Sequence, residues 1–111
     1  MKKHRSLCPV ARSLDIFGDK WTLLILRDVA MLGKTTFKEI AQMDEGIATN
    51  TLAERLERLV KEAMLTKTQS AVNKLVYHYR ITQKGMDLIP VLQNISQWAE
   101  KHLDVASGTK Y

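Results

Sequence analysis

The chain has 111 residues, 45% of them hydrophobic, and a net charge of +5. That length suits one domain over residues 1–111 with a small core, to which pairing with a second copy would add buried surface. No apolar run reaches the roughly 18 residues of a membrane span. The basic opening MKKHRSLCPVARSLDIF lacks the apolar stretch and cleavage site of a signal peptide. A lone cysteine, Cys8, leaves no internal disulfide and fits a reducing cytoplasm.

Residues 1–6 read as a basic arm. Pro9 opens a first helix, since proline at a first helical position gives up no useful hydrogen bond. Leu14 and Phe17 recur on it until Gly18-Asp19 breaks the pattern. Leu23, Leu24, Ile25, Leu26, Val29 and Ala30 then form a helix apolar nearly all round, hence central and buried, with Gly33 at its end. Thr35-Thr36-Phe37 is β-prone enough for a minor strand. Phe37, Ile40 and Ala41 give a short helix its apolar face, and Asp44, Glu45 and Gly46 make a turn. A longer helix follows, with Leu52, Leu56, Leu59 and Ala63 on one face and a small polar leading turn, Ala48 to Thr51.

After Met64 the period changes. Leu65 to Gln69 alternates, Ser70 to Lys74 is polar, and Val76 to Ile81 is β-rich, which together read as a hairpin. Thr82 is a plausible N-cap for a last helix, along which Leu88, Leu92, Ile95, Ala99 and Leu103 recur with Trp98 beside them. Pro90 should kink or split it. Residues 104–111 read as a frayed tail. The expected fold is mainly α with a small β-hairpin wing: a winged helix-turn-helix over core residues 7–103, with extra N- and C-terminal dimerisation helices.

The charge is uneven. Residues 1–12 hold Lys2, Lys3, Arg5 and Arg12 without an acid, and residues 65–85 hold Lys67, Lys74, Arg80 and Lys84 without one, whereas residues 44–64 hold five acids against three bases. The basic flanks therefore suit a polyanion's backbone, and the longer helix does not supply the bulk attraction.

In order along the chain, CPVARSLDIFGDKWTLLILRDV, Gly33 with TTFKEI, GIATNTLAERLERL, VYHYRITQKG and LIPVLQNISQWAEKH resemble segments of the HxlR-type transcriptional regulators. The resemblance spans residues 7–103. It implies a homodimeric bacterial winged-helix DNA-binding regulator paired through its first and last helices, and some members of that family sense oxidants or electrophiles through a cysteine at the place of Cys8. The chain departs from the family pattern at Asp19, where a second glycine is usual, at Thr36, where arginine is frequent, and in a wing without prolines.

For base readout the candidates are Thr49, Asn50, Thr51 and Glu54, because the N-terminal residues of the second helix do the reading in this motif. Arg55 and Arg58, with Lys34 and Lys38, are candidates for phosphate. Lys67, Asn73, Lys74 and Arg80 are the wing candidates. The bland alternative is a solvated face held by pairs four residues apart, such as Glu54–Arg58 and Glu57–Lys61. Leu14, Leu88, Leu92, Ile95, Trp98, Ala99 and Leu103 are the dimer candidates. Cys8 has basic neighbours and lies at a helix start, which favour thiolate; the alternative is a small half-buried anchor. Neither a catalytic constellation nor metal-ligand spacing appears, so no enzyme activity, cofactor or metal is expected. The reading is a sequence-specific duplex-DNA regulator, a repressor, acting as a homodimer on a pseudo-palindrome with a small-molecule or redox inducer. The rival is a winged-helix protein–protein adaptor, favoured by the five acids.

Overall fold

The computed structural model describes residues 7–105. The basic arm, with Lys2, Lys3 and Arg5, and the tail beyond Val105 lie outside them. Helix α1 (Pro9–Phe17) takes Cys8 as its N-cap and ends where the Gly18 amide donates to the Leu14 carbonyl at 2.8 Å. Helix α2 (Thr22–Met31) contributes Ile25, Leu26 and Val29 to the core and packs against α1, against α3 (Phe37–Ala41) and against elements near the C-terminus. Helix α4 (Thr49–Lys61) buries Leu52, Leu56 and Leu59, the face set by its three- and four-residue spacing. The core is completed by Ile40, Met43, Ile47, Met64, Leu65 and Tyr79.

Strands β1 (Leu65–Gln69) and β2 (Tyr77–Ile81) pair antiparallel, with Leu65 opposite Ile81 and Gln69 opposite Tyr77. The minor strand expected near Thr36 is a single bridge to His78, beside a bond from the Tyr79 amide to the Thr35 carbonyl at 2.7 Å. Thr36 instead caps α3: its hydroxyl accepts from the Glu39 amide at 3.2 Å, while the Glu39 carboxylate accepts from the Thr36 amide at 3.1 Å.

One expectation about the helices needs correction. Ala63 is not on the buried face of α4. It is exposed, with φ +61°, because the chain must leave the helix there to start β1. The Ala63 amide donates to the Val60 carbonyl at 3.0 Å and the Met64 amide to the Leu59 carbonyl at 2.9 Å, a helix end that favours glycine in the left-handed position. Of the two outcomes expected at Pro90, a kink or a split, the structure shows the split: the last helix is two helices, α5 (Gln83–Met86) and α6 (Ile89–His102). Thr82 caps α5, accepting from the Gly85 amide at 3.1 Å. Pro90 lies in the first turn of α6, where its missing amide costs nothing, so the chain breaks before it and restarts. No helix among the described residues is long and apolar enough to cross a membrane.

Candidate nucleic-acid interface

The leading turn of α4 is open. Thr49 and Asn50 are exposed and Thr51 is half-buried. Ala48 at the N-cap has no side-chain oxygen, so the first amides of α4 receive no side-chain cap. Those donors and the positive end of the helix dipole are left for an outside acceptor. Behind this turn, Leu52, Leu56 and Leu59 fasten the helix to the core. Tertiary packing therefore holds the helix, while its polar leading turn stays uncommitted.

The acidic and basic side chains farther along α4 are engaged with one another. Glu54 pairs with Arg55 and lies 3.8 Å from the Arg58 guanidinium. Arg55 also donates through Nε to Asp19 Oδ2 at 3.0 Å. Arg55, a phosphate candidate from the sequence, thus has its guanidinium engaged at the corner between α1 and α2. Asp19 is well placed to hold it. Its Oδ2 accepts from the amides of Trp21 at 2.9 Å and Thr22 at 3.0 Å, and its Oδ1 accepts from the Thr22 hydroxyl at 2.6 Å. Burial alone would raise the Asp19 carboxyl, but the hydrogen bonds from Thr22, Arg55 and the two amides outweigh it and hold the pKa at about 2. Asp19 thus holds the amides at the start of α2 and anchors α4 through Arg55.

Lys34, another phosphate candidate, is engaged likewise: its Nζ lies 2.8 Å from Oδ2 of Asp28, a fully buried carboxylate. Asp28 also accepts from Arg27 Nε at 2.8 Å, and Arg27 grips Glu45 with two bonds, of 2.8 and 2.7 Å. The Arg27 fork is the chief cause that lowers the Glu45 carboxyl to about 2, against the opposing effect of burial. Sequence reading passed over Arg27 and Asp28 because they sit in an apolar run. Two adjacent opposite charges inside a helix apolar nearly all round were the available signal, since buried charges must be paired.

Lys38 is exposed on α3. In the wing, Lys67 extends over the rings of Tyr77 and Tyr79, 4.6 and 5.9 Å from their centroids. It borders a groove of 530 Å³ between the wing and α4, lined also by Phe37, Leu56 and Val60. Asn73 shapes the tip: its Oδ1 accepts from the Leu75 amide at 3.0 Å, and Ser70 Oγ accepts from the Val72 and Asn73 amides. Lys74 and Arg80 point to solvent. The tip is thus tied by local bonds although it lacks proline.

On α1 and along α6 to its C-cap, Leu14, Ile95, Trp98 and Leu103 are each about half exposed, Trp98 the most at 58%. Ala99 is half-buried, and Leu88 packs partly against the core. Leu92 is a correction to the apolar seam. It is 8% exposed within one chain, because α6 turns that side toward α2. Cys8 is exposed at the start of α1.

A helix–turn–helix formed by α3 and α4, followed by a two-stranded wing and flanked by helices at both ends, defines a winged helix-turn-helix. A model of the HxlR-like helix-turn-helix family matches residues 16–107, and the chain belongs to that family. It is 33% identical over 99 residues to the HTH-type transcriptional regulator Rv3095 of Mycobacterium tuberculosis (strain ATCC 25618 / H37Rv), covering 89% of this chain and 61% of that one. The chain thus spans about three fifths of the length of that relative. It is 31% identical over 97 residues to the HTH-type transcriptional regulator YodB of Bacillus subtilis (strain 168), covering 86% of each. Among solved structures, PA1607 superposes with TM-score 0.82 at 38% identity over 96% of this chain and 72% of that one. The reduced form of YodB gives 0.72 at 30% identity over 89% and 97%. YodB also matches in its diamide-treated and quinone-bound forms.

Proposed function

We propose that the protein is a transcriptional regulator that binds duplex DNA sequence-specifically as a homodimer and acts as a repressor in the cytoplasm, with residues 7–103 forming one winged helix-turn-helix unit. The observation that carries this reading is the open, polar leading turn of α4 on a helix whose back is fixed in the core. Asn50 suits a bidentate contact to adenine, and Thr49 and Thr51 reach base edges or phosphate. Glu54 faces cytosine only if it leaves Arg55 and Arg58. Lys38, Arg58, Lys67, Lys74 and Arg80 serve the phosphate backbone, with Asn73 shaping the wing between them. The half-exposed seam of Leu14, Ile95, Trp98, Ala99 and Leu103 pairs two copies, so that two leading turns enter successive major grooves about one helical turn apart.

Asn50→Ala is expected to weaken binding to the operator by ~1–3 kcal/mol and to relax discrimination at one base pair. Lys74→Ala should weaken all duplexes alike and flatten the salt dependence. A protein–protein adaptor, the reading that the acids of 44–64 favour, would keep its regulatory effect in both variants, as a reporter gene would show.

Cys8 gives the reading a redox layer, supported by the reduced, diamide-treated and quinone-bound states of YodB. With one cysteine per chain, oxidation must join Cys8 to its twin or to a small thiol, and an electrophile must add to it. Diamide or a quinone is expected to release wild-type protein from DNA and leave Cys8→Ser bound. Equal release of both in a gel-shift titration would remove the sensor.

A further inference from the structure

The segment from Gln42 to Ala48 carries the chain from α3 to the reading turn without regular structure. Its apolar anchors are Met43 and Ile47, both buried. Apolar burial is non-directional: it sets how deep the segment sits but not how it is rotated. Direction comes from Glu45, whose two carboxylate oxygens meet Arg27 Nη1 and Nη2 at 2.8 and 2.7 Å. A bidentate fork of this kind fixes both angle and distance.

Arg27 is itself oriented from behind. Its Nε and Nη2 lie 2.8 and 2.7 Å from Asp28 Oδ1, and the other oxygen of Asp28 is held by Lys34 at 2.8 Å. The relay runs from the loop after α2, through two buried charges on α2, to the turn four residues before Thr49. Ion pairs this buried add little net stability against an apolar substitute. Their physical advantage is geometric.

We propose that Arg27 and Glu45 are positioning residues for base readout, fixing the rotation of the α4 leading turn through the guanidinium–carboxylate fork, with Asp28 and Lys34 holding the fork in place. The inference rests on the DNA-binding reading above. It adds side chains that touch no DNA in that reading and yet set its discrimination.

The sign of the charge effect makes it testable. Glu45→Gln removes a negative charge near a polyanion, which by electrostatics alone tightens binding to any duplex. Loss of positioning does the opposite for the operator only. Asp44, exposed next door and without a side-chain partner among the described residues, is the control, because Asp44→Asn makes the same charge change and leaves the fork intact. Full-length wild type, Glu45→Gln, Arg27→Lys and Asp44→Asn are titrated with operator and scrambled duplexes, and amide hydrogen exchange is followed over residues 42–51 without DNA.

The expected result is that Glu45→Gln and Arg27→Lys lose about tenfold in the operator-to-scrambled ratio, the size of a weakened base contact. Their exchange should quicken in that segment while the strands of the wing are unchanged. Asp44→Asn should keep the wild-type ratio. Glu45→Gln matching Asp44→Asn in both ratio and exchange would overturn the proposal. A wild-type ratio near one would instead overturn the DNA-reader reading and this inference with it, so the two failures are told apart by the wild-type arm alone.

Discussion

Asp28→Ala is expected to destabilise the protein by ~3–5 kcal/mol, the cost of breaking a buried charge network by removing one partner. Asp28 is fully buried and holds Arg27 at 2.8 Å and Lys34 at 2.8 Å. Lys34 can turn its ammonium to water when the carboxylate is gone. Arg27, buried with it, keeps the bonds to Glu45 and loses the group that compensated its Nε. At the roughly 4 °C per kcal/mol expected near this chain length, the melting temperature falls by about 12–20 °C. Asp44→Ala, at an exposed site, should stay within ~0.5 kcal/mol. Thermal and urea unfolding of the two variants against wild type measure the difference. Similar small losses in both would mean that the network contributes nothing to the folded state.

Trp98→Asp carries the second large effect. In the proposed dimer, Trp98 sits in the middle of the seam on α6 and packs beside His102 at a ring-centroid distance of 5.2 Å. A half-exposed tryptophan is a costly group to leave in water and a frequent anchor of interfaces. A charge placed there would be desolvated on pairing without a partner. The variant is expected to sediment as a monomer at micromolar concentration, with its own fold and melting temperature near wild type, because the side chain contributes little to the core of one chain. Operator affinity should then fall by about 10²- to 10⁴-fold, as two linked half-site contacts become one. A variant that remained dimeric, or that bound the operator undiminished as a monomer, would place the pairing surface elsewhere.

Much of the fold was legible because it is written in local periods and caps. The spacing of Leu52, Leu56 and Leu59 gives α4 and its buried side, and Pro9, Gly33, Gly46 and Thr82 punctuate the chain where the helices and turns do. The change to period two after Met64 gives the wing with its strands at Leu65–Gln69 and Tyr77–Ile81. What was not legible depends on partners distant in sequence. Arg27 meets a residue 18 positions away, and Arg55 one 36 positions away. No local pattern reports such pairings, so Lys34 and Arg55 read as open cations when both are committed within the chain. Leu92 shows the same limit on the apolar side. The heptad-like spacing placed it on the dimer seam, but whether a leucine on a terminal helix faces its own core or a partner is settled by how α6 leans on α2. Ala63 was misread because the need for a left-handed residue arises from the strand that follows, not from the helix that precedes.

The leading turn of α4 has a narrow role in this proposal. It is exposed and carries no side-chain cap, and the charges behind it are turned inward, toward Asp19, Asp28 and Glu45. In the proposed reading, the bulk attraction to DNA then falls to the wing, Lys38 and Arg58, and discrimination to Thr49, Asn50 and Thr51.

The most direct measurement of that claim is the affinity of the wild-type protein for a genomically mapped site against a scrambled duplex of equal length, across a salt series that includes physiological salt. A sequence-specific regulator is expected to prefer its site by at least about 10³-fold, with affinity for both duplexes falling steeply as salt rises. Equal affinity for the two duplexes at physiological salt would contradict base readout by the α4 turn.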